Sequence, residues 1–217
     1  MKKEFSTKPE QMKDDSVASW QELITSIPTP QFLITGWKSN GKENACLHQY
    51  STFFSDNGEF ICVLGWVDSN GHMYKSLKET GCCVLNFVSE DMSVKGMETV
   101  KNNQFDTNEI TASGLTAEKA VVVNAPRIAE CFLNIECEYL WEQKSFENGR
   151  RLVVALKAVH ICMDSDRYDQ SKLGRYGKTG YVYGIYNSMN PDTGNWDWEN
   201  EDGRDMGYPR YIGTLGE

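Results

Sequence analysis

The chain has 217 residues, with 22 Lys plus Arg against 31 Asp plus Glu and a net charge of −9. This acidic balance opposes binding to the phosphate backbone of nucleic acids and to anionic membrane surfaces. An apolar fraction of 40% predicts a globular protein, and no run reaches the roughly 18 apolar residues of a transmembrane helix. The polar N-terminus shows no signal-peptide pattern, so we expect a cytoplasmic protein.

The seven cysteines have no C-x-x-C spacing, whereas zinc sites usually show closely spaced Cys or His pairs. We therefore expect no metal site. Several of the cysteines lie in apolar runs, which favours buried, reduced thiols. A redox role for the adjacent Cys82 and Cys83 is the alternative.

The first predicted element is a short helix after a polar arm. Ser19 and Glu22 match a capping box, and the prolines after Ile27 end the helix. A strand is predicted over Gln31–Trp37, followed by an Asn40-Gly41 hairpin turn. Residues 44–52 mix small, polar and aromatic groups and are predicted to form a loop.

Four elements follow in the middle of the chain. Phe60–Val67 is predicted as a second strand, and His72–Thr80 as a short helix with Gly81 as its C-cap. Cys82–Val88 is predicted as a third strand, and Asp91–Asn102 as a helix.

The strongest strand pattern covers Cys131–Trp141, where apolar residues take the odd positions and Asn134, Glu136 and Glu138 take even ones. This period predicts one buried and one solvent-exposed face. A turn and Arg151–Met163 complete a long hairpin. Many strands with short helices indicate a mainly β, antiparallel barrel. No Gly-x-Gly-x-x-Gly follows a strand, so a Rossmann nucleotide site is not expected.

Three segments are predicted: an arm with its helix over 1–27, the barrel domain over 28–186, and an acidic arm over 187–217. The last segment contains several aromatic residues, namely Trp196, Trp198, Tyr208 and Tyr211. Disordered tails are poor in aromatic residues, which favours an arm docked on the domain or on a second subunit over a free tail.

Few residues match a known catalytic pattern. No Gly-x-Ser-x-Gly motif is present, and His160 within a strand favours a structural role. The start of the 72–80 helix brings His72, Lys75 and Ser76 near free N–H groups, which suits a phosphate. An ordinary capped helix with a nearby lysine is the alternative.

The order of several motifs resembles the flavin reductase-like family of FMN-binding split barrels, which includes flavoredoxins. The resemblance runs from about Pro28 to Tyr183. Its motifs are Asn44-Ala45, the 60–67 strand, Lys78–Asn86, Gln104–Asp106, Ser113–Thr116 and Asn124–Glu130 leading into Leu133–Cys137.

The resemblance implies a six-stranded antiparallel split barrel that binds FMN near a homodimer interface. Carried over to this sequence, the residues lining the flavin are Asn44, Ala45, Cys46, Leu47, His48 and Gln49. The helix start would hold the phosphate. Here the sequence has His72 and Met73 where relatives often carry Arg and Ser or Thr, so Lys75, Ser76 or Ser51 is expected to meet the phosphate instead.

Three further residues complete the predicted site and its alternatives. Trp66 and Tyr74 are candidate walls against a ring face, with core packing as the alternative for both. Asn86 belongs to a family motif, and a strand-end cap is its alternative role. The Phe105–Thr116 segment is expected either as a lid over the flavin or as a cover of the barrel.

By resemblance, we expect an oxidoreductase that moves hydride from NADH or NADPH to the flavin N5 and passes electrons to a flavin, a small molecule or a redox protein. Cofactors supply such chemistry, and the protein supplies orientation and polarity. The alternative is a non-catalytic binding protein or electron carrier without its own NAD(P)H site.

Overall fold

The computed structural model describes residues 2–10, 19–168, 181–186 and 204–207. The helices are α1 (Trp20–Thr25), α2 (His72–Thr80), α3 (Ser93–Lys101), α4 (Glu109–Ala112) and α5 (Ser165–Tyr168). The strands are β1 (Thr29–Pro30), β2 (Phe32–Trp37), β3 (Glu43–His48), β4 (Ser51–Asp56), β5 (Glu59–Asp68), β6 (Cys82–Phe87), β7 (Ala117–Lys119), β8 (Pro126–Ile128), β9 (Leu133–Lys144), β10 (Arg151–Met163), β11 (Tyr183–Tyr186) and β12 (Arg204–Gly207).

The described residues form two compact units. The smaller unit contains the N-terminal residues through Thr29 together with β11 and β12, which pair antiparallel with Tyr183 opposite Gly207. Its helix α1 begins as predicted, because the Ser19 Oγ accepts the Glu22 N–H at 3.2 Å. The helix ends at Thr25, two residues before the predicted end.

The larger unit, Pro30–Val182 within the described ranges, is built on one antiparallel sheet in the order β3-β2-β6-β9-β10-β5-β4. The two edge strands, β3 and β4, are separated in sequence by Gln49 and Tyr50 alone. The ring of Phe32 on β2 lies 5.8 Å from that of Phe53 on β4. The sheet therefore curls so that one bent strand, β3 with β4, forms both of its edges.

The mainly β, antiparallel barrel is confirmed, and the strand count needs one adjustment. The sheet has seven strands where six were predicted, and it has six if β3 and β4 are counted as one bent strand. Two apolar clusters pack on its two faces. Phe32, Leu64, Leu85 and Leu156 belong to the first cluster, whereas Leu33 belongs to the second, which lies under α4 and β8.

The predicted loop over residues 44–52 is wrong, because most of it is strand. Along β3, Cys46 packs against the first cluster, whereas Ala45 and Leu47 pack against the second. Both faces of the strand are therefore covered, so its sequence lacks the polar and apolar alternation that marks a half-buried strand.

The predicted solvent face of β9 also needs correction. Asn134 and Glu136 are buried, because the Asn134 amide donates to Ile128 O on β8 and residues 121–123 cover Glu136. The Glu136 carboxylate accepts the N–H groups of these three valines at 2.7, 2.7 and 3.1 Å. Trp141, predicted to face the core, is 48% exposed, because the hairpin of β9 and β10 extends beyond the core.

Other predictions are confirmed with small shifts in their bounds. Helix α2 has the predicted limits, and Gly81 ends it with a φ of +71°, a conformation that glycine adopts at low cost. The aromatic residues of the predicted acidic arm, from Trp196 to Tyr211, lie outside the described residues. Within the described part of the chain, no helix is long and apolar enough to cross a membrane.

Candidate functional site

The first half of the edge strand β3 is closed by the protein itself. The Glu43 N–H donates to Asn108 Oδ1 at 3.1 Å, and the Ala45 N–H donates to Glu109 Oε2 at 2.7 Å. Both N–H groups lie on the side of β3 that faces away from β2, since alternate residues of an edge strand point outward. The helix α4 segment therefore covers this half of the edge.

Glu109 is the centre of a buried polar network. Its Oε1 lies 2.6 Å from Lys38 Nζ, and both side chains are about 1% exposed. The Lys38 ammonium also donates to Gln104 O at 2.7 Å and to Thr107 O at 2.8 Å. The buried charge of Glu109 is therefore compensated, and the 104–109 segment is held as a fixed cover of the barrel.

The same network reaches the start of α2 through Asn44. With its amide oxygen towards the helix, Asn44 donates to Glu109 Oε2 and accepts the Met73 N–H, both at 3.1 Å. One of the free N–H groups of the first helical turn is thus taken. Ser76 is buried, with its Oγ 3.5 Å from the Asn44 amide, so its hydroxyl faces β3 and not the solvent.

Two of the predicted phosphate contacts remain accessible at this helix start. The His72 ring is partly exposed, with Nδ1 3.7 Å from Glu109 Oε1 and with the ring of Phe105 at 5.7 Å. Lys75 is exposed, and no ion pair to it is found among the described residues. The N-cap residue is Gly71, which has no side chain to accept the first N–H groups of the helix.

The second half of β3 and the turn after it contain polar groups without partners. Gln49 is 5% exposed, yet neither its Nε2 nor its Oε1 finds a hydrogen-bond partner within the described residues, and the Ser51 Oγ finds none either. The Leu47 N–H points to the same outer side as that of Ala45, and no hydrogen bond to it occurs in the described ranges. Buried polar groups are nearly always paired in native proteins.

An aromatic wall stands beside this turn. The Tyr50 ring lies 5.7 Å from that of Trp66, and the Arg151 guanidinium lies 3.6 Å above the Trp66 ring. Trp66 is 40% exposed and has a φ of +56°, which is uncommon for a bulky residue and tends to occur at functional sites.

Burial fixes the charge states of two predicted site residues on β3. It lowers the pKa of His48 to about 4, against a smaller opposite effect of the hydrogen bond to Tyr50 O. Burial, followed by the nearby Glu109 charge, raises the pKa of Cys46 to about 12. At neutral pH these residues are a neutral imidazole and a thiol, so they do not form a nucleophilic pair.

Two predicted residues lie apart from the turn. The Tyr74 hydroxyl donates to Glu142 Oε1 at 3.0 Å, and its ring lines a surface groove of about 590 Å³ beside the β9–β10 hairpin. Asn86 is fully buried, and its amide bonds to Leu33 O, Ile128 N and further groups on β2, β6 and β9. Because its amide groups are bonded within the protein, Asn86 has no free group for a ligand, and its role here is structural.

Sequence reasoning missed three residues. Lys38 and Glu109 lie far apart in the sequence, and no local pattern marks a buried ion pair. The third, Gln31, is 1% exposed with an unpartnered amide. A polar residue inside an apolar strand segment is the only sequence signal that points to it.

A sequence model of the flavin reductase like domain matches residues 24–183. Because the match spans most of the chain, the protein belongs to the flavin reductase-like family. A curated relative, an uncharacterized protein of Methanothermobacter thermautotrophicus, is 27% identical over 126 residues, which cover 57% of this chain and 49% of the relative. The aligned part therefore spans about half the length of that relative.

Solved structures share the fold. The flavoredoxin of Desulfovibrio vulgaris (Miyazaki F) matches with a TM-score of 0.70 and 15% identity, covering 94% of this chain and 97% of that chain. The 2-nitrobenzoate 2-nitroreductase of Pseudomonas fluorescens matches with a TM-score of 0.66 and 20% identity, covering 90% of each chain. A split-barrel flavin reductase from Shewanella frigidimarina matches at 0.67 with 18% identity, covering 78% of this chain and 86% of that chain.

Proposed function

We propose that this protein is an FMN-binding oxidoreductase that takes electrons from NADH or NADPH and passes them to a flavin, a small molecule or a redox protein. Membership of the flavin reductase-like family supports a flavin-related oxidoreductase. The observation that carries the proposal is the group of unpartnered polar atoms at the β3–β4 turn. Buried polar atoms without a partner favour a polar ligand or an ordered water, and these atoms lie within the predicted flavin site.

The chemistry of these atoms fits the ring of a flavin. The isoalloxazine ring is flat and largely apolar, and one edge has two carbonyl groups with an N–H between them. The Gln49 amide offers both a donor and an acceptor, whereas the Leu47 N–H and the Ser51 hydroxyl add donors. Trp66, 40% exposed beside Tyr50, adds an aromatic side chain with the Arg151 guanidinium over one face of its ring.

The phosphate would be held at the start of α2. His72 and Lys75 are the accessible candidates there, and free N–H groups of the first turn add a favourable field. Asn44 and Gln49 lie about 16 Å apart at the ~3.3 Å rise of a strand. Because the α4 segment covers the first half of the β3 edge, a mononucleotide with its ring at the turn would pass outside this cover to bring its phosphate to the exposed Lys75 and the partly exposed His72.

A bound flavin would supply hydride acceptance and electron release, which no side chain can perform. The chain's own residues would orient it. Glu109 and Asn44 fix the backbone of β3 and the first turn of α2 relative to each other. His48 and Cys46 stay uncharged near neutral pH, so the ring would lie beside neutral groups, and neither residue would act as the acid or base.

We further propose that the protein forms a homodimer. Large apolar side chains are exposed on the β9–β10 hairpin, namely Leu140, Trp141, Phe146 and Ile161. Exposed large apolar side chains on one hairpin are a common feature of surfaces that contact another protein. Light scattering coupled to size-exclusion chromatography tests this, and a monomer at micromolar concentration would overturn it.

The test of the reaction is anaerobic mixing of the FMN-loaded protein with NADH or NADPH while flavin absorbance is followed. Bleaching that is much faster than for free FMN under the same conditions supports an oxidoreductase with its own pyridine-nucleotide site. Bleaching by dithionite or by a reduced redox protein, but by neither nucleotide, would overturn that part and favour an electron carrier. Free FMN and nitroaromatic compounds then serve as trial acceptors.

A further inference from the structure

A second buried amide without partners lies one residue before β2. Gln31 is 1% exposed, and both Nε2 and Oε1 of its side chain lack a hydrogen-bond partner within the described residues. Its backbone N–H is bonded to Val182 O at 2.8 Å, so the position of the residue is fixed. The unpaired atoms are therefore not the result of a loose chain end.

The strand register brings the two amides together. Phe32 of β2 pairs with His48 of β3, so continuing the antiparallel register by one residue places Gln31 opposite Gln49. Opposite residues of an antiparallel pair are on the same face, with Cβ atoms about 5 Å apart. We therefore expect the two buried side chains to share one polar patch that offers two N–H₂ donors and two carbonyl acceptors.

The patch is neutral, which determines the ligand chemistry that suits it. Two uncharged amides are poor partners for a phosphate, which prefers cations or a helix start. They suit a group with alternating acceptors and a donor. The imide edge of a flavin, C2=O, N3–H and C4=O, has this pattern.

We propose that Gln31 is a specificity-determining residue of the flavin site and that, with Gln49, it binds the imide edge of the ring. This inference rests on the proposed function. It adds a residue that neither the sequence motifs nor the family resemblance indicated. It also predicts that the site recognises the flavin ring through these amides, independently of the phosphate contacts at α2.

The experiment measures the dissociation constants of FMN and of N3-methyl FMN, which lacks the N3 proton, by quenching of flavin fluorescence. The proteins are the wild type, Gln31→Met, which keeps a similar volume, and Gln143→Leu, an exposed glutamine on β9, as the control. Loss of one buried hydrogen bond should weaken FMN binding about tenfold in Gln31→Met. The control should bind FMN as the wild type does.

The analogue and the apo-protein sharpen the test. The wild type should bind N3-methyl FMN about tenfold more weakly than FMN, whereas Gln31→Met should bind the two alike. The thermal midpoint of apo Gln31→Met should equal or exceed that of the wild type, because an unpaired buried amide has been removed. An unchanged or higher midpoint would show that Gln31 acts in ligand recognition and is not needed for the stability of the fold.

The outcomes divide cleanly. If Gln31→Met binds FMN normally, or if the wild type does not distinguish the N3-methyl analogue, the inference is wrong and the amides hold only buried water. If Gln31→Met does not fold, Gln31→Leu takes its place, because only a variant at this position distinguishes Gln31 from Gln49. If the wild type binds neither FMN nor riboflavin, the proposed function itself fails, and this inference fails with it.

Discussion

The two halves of strand β3 differ in how their polar groups are paired. In the first half, Asn108 and Glu109 take the outward N–H groups of Glu43 and Ala45, and Asn44 links the network to α2. At the end of β3 and in the turn after it, the Gln49 amide and the hydroxyl of Ser51, the first residue of β4, are buried and have no partner among the described residues. One continuous segment, from β3 into β4, thus carries both arrangements.

The difference indicates which polar groups support the fold and which are available to bind a ligand. A group that is already paired inside the protein gains little from a ligand, whereas a buried unpaired group gains the full value of a new hydrogen bond. Residues 44–46 were predicted to line the flavin together with residues 47–49. We propose that Asn44 and Ala45 belong to the scaffold, whereas the Leu47 N–H and the Gln49 amide are the groups available to a ring.

The largest effect is expected from breaking the scaffold. Lys38→Met leaves the buried Glu109 carboxylate without its cation, and we expect a loss of about 3–5 kcal/mol in the free energy of unfolding. Adding Glu109→Gln should recover much of that loss, because the uncompensated charge is then gone. Urea denaturation measures both. Lys157→Met, which removes a more exposed partner of Glu59, is the control and should cost under about 1 kcal/mol.

A loss below about 1 kcal/mol in Lys38→Met would contradict a scaffold held by this ion pair. The first half of β3 would then not be a scaffold that depends on the Lys38–Glu109 ion pair. The double variant distinguishes a true pair from two independent residues, because only a pair gives a non-additive result.

The buried His48 should make stability fall with acid. Its pKa is about 4 in the folded protein and about 6.5 in an unfolded chain. The unfolded state therefore binds more protons between these values, so lowering the pH from about 6.5 to about 4 should cost on the order of 3 kcal/mol. Above about pH 6.5 the imidazole is neutral in both the folded and the unfolded state, so His48 no longer lowers the free energy of unfolding.

The measurement is the free energy of unfolding of the apo-protein against pH, for wild type and His48→Gln. The difference between the two curves isolates His48 from the carboxylates that titrate in the same range. His160→Gln, at a half-exposed position on β10, is the control. Parallel curves for wild type and His48→Gln would show that the imidazole does not stay neutral and buried.

Gln49→Leu should change binding and stability in opposite directions. Removing an unpartnered buried amide should leave apo stability unchanged or higher, whereas FMN affinity should fall about tenfold. Thermal unfolding and fluorescence titration measure the two effects, with Gln143→Leu as the control. A clear fall in apo stability with unchanged FMN affinity would assign Gln49 a structural role instead.

The smallest effect concerns the phosphate. Lys75→Met should weaken FMN binding only a few-fold, because an exposed charge near a helix start contributes a few tenths to about 1 kcal/mol. Binding of riboflavin, which has no phosphate, should not change. Lys78→Met on the same helix is the control, since Lys78 is paired with Glu142. Equal losses for FMN and riboflavin would place the phosphate elsewhere.

Local patterns predicted much of the fold. The limits of α2, the turn at Gly41 and the β9–β10 hairpin each depend on periodicity or on a residue suited to its backbone position. β3 was missed because apolar clusters cover both of its faces. The burial of Asn134 and Glu136 was missed because it depends on segments outside β9, β8 for Asn134 and residues 121–123 for Glu136.

The candidate site was predicted unevenly for a similar reason. A family motif indicated Gln49 and the helix start, but it could not distinguish paired groups from unpaired ones. That distinction depends on contacts between residues far apart, such as Lys38 with Glu109. Gln31 was missed for the same reason, because its place opposite Gln49 follows only from extending the pairing of Phe32 with His48.

The central claim is that a flavin ring meets the second half of β3 and not the first. The most direct measurement is a titration of isotopically labelled apo-protein with FMN, followed by two-dimensional amide NMR. We expect the largest shifts at the backbone N–H groups of Leu47 and Gln49 and at the side-chain amides of Gln49 and Gln31. The N–H groups of Glu43 and Ala45, already bonded to side chains, should shift little. Largest shifts at Glu43 and Ala45, or no shifts at all on adding FMN, would contradict the account.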